Sequence, residues 1–213
     1  MTQLAISVLD VAPERYAVAP NLMVKLRIEE STGQPIHAIA LRCQVRIEPQ
    51  RRAYAGPERA GLVELFGLPE QWSKTLTPFL WTHASTTVRG FSGSIDVDLP
   101  VTCTYDFEVA AAKYLHTLRD GEIPLVFLFT GTVFTRGITG FGVEQISWDL
   151  EATHRMPVKV WHDLMDLYFP GSGWIRVDRD TLDALMQFKA ARGLTSWEDA
   201  FSALLPRPEE RAS

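Results

Sequence analysis

The sequence predicts an α+β protein. It is a mostly antiparallel β-sandwich over residues 1–158 with a helical insertion at about 57–76, a C-terminal appendage of three short helices over 159–205 packed on the sandwich, and a flexible tail over 206–213. Three observations carry this. Two runs alternate with period two: Leu22, Val24, Leu26 and Ile28 interleave with Met23, Lys25, Arg27 and Glu29, and Ile39, Leu41, Cys43, Val45 and Ile47 interleave with Ala40, Arg42, Gln44 and Arg46. Successive strand side chains point to opposite faces, so each run offers one apolar face to a core and one polar face to water, the pattern of antiparallel sheet. The period then breaks between Pro57 and Leu76, and the last quarter recurs at helical spacing.

Leu4, Ile6 and Val8 open the first strand, and Pro13 and Pro20 bracket the loop that follows. Ser31 to Pro35 is a turn cluster between the alternating runs, which makes them a hairpin or a sandwich corner. Leu62, Val63, Leu65, Phe66 and Trp72, interrupted by Gly67 and Pro69, read as one or two inserted helices. Strands return over Phe79 to Val88 and Phe91 to Leu99. On the second, Asp96 and Asp98 share the outer face, as a charged edge that discourages strand addition or as ligands for a cation.

Between Asp106 and Asp120 the spacing predicts strand passing into helix, stopped by Gly121. Ile123 to Phe134 is the most apolar segment. It reads as a central strand covered by the opposing sheet on one side and by helix on the other. Glycines 131, 137, 140 and 142 follow no phosphate-binding spacing and read as a hairpin turn into strands near Val143 to Trp148 and Thr153 to Val158.

Trp161, Leu164, Met165, Tyr168 and Phe169 form a helix ended by Pro170, and Leu182, Leu185 and Met186 a second capped by Asp178 or Asp180. Thr195 to Glu198 is a capping-box pattern that opens a third.

A hydrophobic share of 46% with 22% charged residues is that of a folded globular chain. The formal charge of −5 opposes binding to nucleic acid or anionic membrane, because each phosphate contact requires a Lys or Arg. The N-terminus lacks a secretory pattern and no apolar stretch reaches the roughly 20 residues that cross a bilayer. A cytoplasmic protein with Cys43 and Cys103 reduced is the expectation.

The chemistry is sparse. His37, His83, His116, His154 and His162 lack metal-ligand spacing, there is no Cys-x-x-Cys, and no nucleophile elbow occurs. Cys43 falls on an apolar strand face, whereas Cys103 sits at a strand end without a basic neighbour to activate it. No catalytic, cofactor-binding or metal-binding residue is assigned, and no cofactor is predicted. Arg42, Arg46, Arg51 and Arg52, with Glu48 among them, read as a solvated strand face, the alternative being a surface for an anion or an acidic partner. Two recognition surfaces are candidates: Trp81 and His83, sharing a face with Ser85 and Thr87, and Trp174 in the aromatic-framed turn from Tyr168 to Ile175. Both have a structural reading as packing residues. The candidate partner surface is thus Trp81, His83, Trp174 and Arg46.

The runs Ala38 to Arg52, Pro78 to His83, Thr104 to Tyr114, Leu128 to Phe134, Asp163 to Pro170 and Asp180 to Leu185 resemble a family of actinobacterial proteins of unestablished function. The resemblance covers nearly the whole chain. It implies, through neighbouring genes for nickel–iron hydrogenases, an accessory or partner role, and it brings no catalytic residues. The chain lacks the paired Cys-x-x-Cys motifs of a hydrogenase large subunit and the cysteines of an iron–sulfur carrier. The expected function is a non-catalytic protein-binding or assembly module, with an unknown protein or a second copy as partner. The alternative is a small-molecule binding protein or enzyme with a pocket between sheet and helices.

Overall fold

A computed structural model describes residues 2–104, 109–137, 140–172 and 175–205. The chain divides into two units, residues 1–174 and 175–213. The first holds eight described strands in two antiparallel sheets. The alternating run Asn21–Glu30 (β2) is the middle of a three-stranded sheet, between β1 (Leu4–Pro13) and β5 (Ser94–Thr102). The run Ile36–Ile47 (β3) lies between β4 (Phe79–Phe91) and β6 (Glu122–Gly137) in a five-stranded sheet. β6 carries two further partners on its other side. β7 (Gly140–Gln145) pairs with its second half and β8 (Glu151–Pro157) with its first.

Because β2 and β3 lie in different sheets, the Ser31 to Pro35 turn is a sandwich corner and not a hairpin. Buried Glu30 holds it: its carboxylate accepts the amides of Thr32 and Gln34 at 3.0 and 3.1 Å. Inward residues of both sheets fill one core, including Leu22, Leu26, Ile39, Val45 and Phe127. Cys43 is 1% exposed, as the register of β3 requires, and Cys103, just past the end of β5, is buried as well. Burial pushes both thiols up to about 12, so neither is a nucleophile at neutral pH. Gly131 belongs not to the hairpin turn but to β6. Its φ is +147°, and a Cβ there would lie 2.1 Å from the Ala40 carbonyl oxygen, so only glycine lets β6 approach β3 this closely.

The helices of this unit are α1 (Gly56–Phe66), the single turn α2 (Trp72–Thr75), α3 (Ala110–Thr117) and α4 (Val158–Tyr168). They attach at the sandwich end where β3 leaves and β4, β6 and α4 begin or follow. Edge-on contacts of Tyr114 with Phe66 and Phe79 pack this end, and the Tyr54 and Tyr114 hydroxyls meet at 2.8 Å. The Tyr168 hydroxyl donates to the carbonyls of Glu14 and Ala17, so the aromatic at the start of the Tyr168 to Ile175 turn staples α4 to its own unit.

The second unit holds α5 (Arg179–Ala191) and α6 (Trp197–Leu204). Asp178 caps α5 by accepting the Thr181 amide at 2.8 Å. Ser196, not Thr195, caps α6: the same spacing of three places Asp199 on its hydroxyl one residue later. The strand expected before α3 and the tail over 206–213 lie outside the described residues.

Candidate functional site

The outward residues of β3 are Arg42, Gln44 and Arg46. Antiparallel register gives each a neighbour on either side. Arg42 stands between Ser85 and Thr130, Gln44 between His83 and Leu128, and Arg46 between Leu80 and Val126. Arg42, Gln44, His83, Ser85 and Thr130 are all exposed, so this face is open, whereas the sequence placed a helix over the second face of β6. Pro124 and Val126, at the helical end, are buried there. Short side chains around Arg42 leave a depression of about 480 Å³ lined by Arg42, Gln44, His83, Ser85 and Thr130, with the strand at Cys43 and Ala84 as its floor. Among the described residues no carboxylate lines it.

The four arginines of the Arg42 to Arg52 run separate into two kinds. Arg51 pairs with Glu48. Arg52, expected on a solvated face, is instead buried: its side chain is 7% exposed and Glu58, 4% exposed, is 3.0 Å away. The Arg52 guanidinium also donates to the carbonyls of Asp120 and Glu122, tying α1 to the segment ahead of β6. Burial alone would raise the Glu58 carboxyl, but the amides of Arg119 and Ala55 and the Arg52 charge together hold it below its ordinary value. Arg42 and Arg46 make no ion pair with a described residue.

Trp81 does not share the face of His83. A register shift between Val45 and Arg46 leaves Trp81 as the extra residue of a β-bulge, so the alternation reverses there. Trp81 is half-buried and packs edge-on against Trp161 of α4, with ring centroids 6.2 Å apart. It is a packing residue. Trp174 lies outside the described residues. Of the candidate surface, the structure therefore brings together His83 and Arg46. Sequence reasoning missed Thr130. Its signal was present in the polar residues Thr130 and Thr132 that alternate through an otherwise apolar strand.

Other candidate chemistry is occupied. Asp96 accepts two hydrogen bonds from Arg27, at 2.8 and 3.0 Å, which hold its carboxyl below the ordinary value. Asp98 stands opposite Lys25. Among the described residues no three His, Cys, Asp or Glu side chains gather as metal ligands. His116 and His154 are pushed below the ordinary histidine value, chiefly by burial. No helix among the described residues is long and apolar enough to cross a membrane.

A comparison with curated proteins finds no match. Among solved structures, the chain is similar to the CARDB domain of a Pyrococcus furiosus protein in complex with di-metal ions, at 9% identity and TM-score 0.28, over 73% of this chain and 86% of that one. It is similar to a putative late embryogenesis abundant protein at 13% identity and TM-score 0.32, over 73% and 70%. A β-glucosidase from Kluyveromyces marxianus matches at 8% identity and TM-score 0.25, over 73% and 15%. At these scores the likenesses bear on neither mechanism nor ligand. The model of a family of unknown function, DUF6084, matches residues 1–213, and the chain belongs to that family.

Proposed function

We propose that the protein is a non-catalytic protein-binding or assembly module whose partner docks on the outer face of the five-stranded sheet. One observation carries the reading: an open, flat face on which Arg42 and Arg46 stand without counter-ions among the described residues, beside His83, Ser85 and Thr130. Paired sheet faces suit protein contact without requiring convergent acid and base groups. An enzyme would need those groups, and among the described residues the depression offers one imidazole and no carboxylate. The side chains between the five-stranded sheet and the helices, Tyr114 and Trp161 with Phe127 among them, are fully buried in one core, which opposes a ligand pocket between sheet and helices. The resemblance to proteins encoded beside nickel–iron hydrogenases extends the proposal to an accessory part in hydrogenase-related physiology, in the cytoplasm.

Affinity capture from the source organism, read by mass spectrometry, tests this with Thr130→Trp beside the unmodified chain. Thr130 is exposed, so the substitution fills the depression without disturbing the core. The expected outcome is loss of a stoichiometric partner at an unchanged melting temperature. Retention of that partner by the variant would remove this face from the function.

A further inference from the structure

We infer that the segment docking on this face is an acidic, extended stretch of a partner protein, whose carboxylates are received by Arg42 and Arg46; the inference rests on the binding-face reading above. β3 is hydrogen-bonded to β4 on one side and β6 on the other, so its backbone has no edge to offer and recognition must run through side chains. Arg42 and Arg46 are four residues apart on one strand, about 13 Å at the usual rise, and point the same way. An extended segment laid along β3 presents alternate side chains at that same repeat. Acidic residues at its positions j and j+4 therefore meet the two guanidinium groups, and a polar residue at j+2 meets Gln44.

The guanidinium fork matches a carboxylate with two parallel hydrogen bonds, and the Ser85 and Thr130 hydroxyls beside Arg42 add donors. The face is also partly apolar: Leu80, 47% exposed, and half-buried Leu128 flank the cations. A phosphate backbone has no use for those leucines and demands a denser row of cations than two, whereas the methylenes of glutamate side chains facing the sheet lie against them while the carboxylates reach the arginines.

The experiment is fluorescence anisotropy of the full chain with a labelled Glu-Ser repeat peptide, a Lys-Ser repeat peptide and a single-stranded oligonucleotide, each with Arg42→Gln/Arg46→Gln and Thr130→Trp beside the unmodified protein. The Glu-Ser peptide should bind saturably, weaken as salt is added, and lose about tenfold or more in affinity in the double variant, as expected for the removal of steering and pairing charges. Melting curves should coincide. Absence of saturable binding up to millimolar protein, equal binding by the double variant, or preference for the oligonucleotide would each overturn the inference.

Its failure is separable from failure of the binding face. If Thr130→Trp abolishes partner capture, or dissociates a dimer seen by sedimentation, while the Glu-Ser peptide does not bind, the face stands and the acidic partner falls. If Thr130→Trp changes nothing, both fall.

Discussion

On the three-stranded sheet Arg27 reaches Asp96 with two hydrogen bonds, and Lys25 stands between Asp10 and Asp98. On the five-stranded sheet Arg42 stands between Ser85 and Thr130, and Arg46 between Leu80 and Val126. Both faces come from the same kind of alternating strand, with a basic residue at every second or fourth position. They differ in what the neighbouring strands place opposite. A face whose charges are already paired gains little from a partner, because any new contact must break an existing one. A face with uncompensated cations offers them to an incoming anion. The arrangement costs little alone: at about 13 Å the two arginines lie beyond the screening length of about 8 Å at physiological salt. A net charge of −5 therefore hides a cationic surface.

Both faces are floored by one core, and the largest effect should come from removing it. Phe127→Ala should destabilise the protein by about 3–5 kcal/mol in a denaturant titration, since a fully buried ring leaves a cavity under both sheets. A midpoint unchanged within error would show that β6 is not the central strand. Next in size, Arg52→Ala should cost about 3 kcal/mol or more, because Glu58 stays behind in a buried site without its counter-ion.

The same pair sets an acid limb. The folded pKa of Glu58 lies below the ordinary 4.5, so its contribution is complete above that pH and is lost as the pH falls through the folded value. Glu58→Gln should flatten that loss in melting curves taken from pH 6 downward. A variant limb as steep as that of the unmodified chain would assign acid sensitivity elsewhere.

Smaller effects sharpen the contrast between the faces. Arg42→Gln/Arg46→Gln removes no pairing and should leave the melting temperature unchanged, while Asp96→Asn breaks an exposed pair, 45% and 44% exposed, and should lower it only slightly. Asp96→Asn/Asp98→Asn is the converse manipulation. By freeing Arg27 and removing one of the two carboxylates opposite Lys25, it should give the three-stranded sheet a measurable affinity for the Glu-Ser peptide. If it does not, unpaired charge alone does not make a binding face, and the hydroxyls and leucines around Arg42 carry more of the recognition.

Much of this fold was legible because period-two alternation is a local signal. The inward set Ile39 to Ile47, with Cys43 among it, and the outward set Arg42 to Arg46 follow from one strand. What was not legible depends on pairing across long sequence separations. Arg52 looked like its neighbours Arg42 and Arg46 until α1 brought Glu58, and the turn ahead of β6 brought the carbonyls of Asp120 and Glu122. Trp81 looked like a companion of His83 because a bulge leaves no mark in composition, yet it inverts every side chain before it relative to those after. The openness of the β6 outer face was missed for a related reason. Val126 and Leu128 made the strand look apolar on both sides, and the polar Thr130 and Thr132 that continue this face were outweighed.

Site-specific photo-crosslinking addresses the difference between the faces most directly. A benzophenone amino acid is placed at Ser85 on the five-stranded sheet or at Ser7 on the three-stranded sheet, both exposed and outward, in the chain expressed in its source organism. Irradiation should yield a discrete heavier species from the Ser85 position and none from Ser7. A crosslinked partner from Ser7 with nothing from Ser85 would contradict the assignment of the binding face.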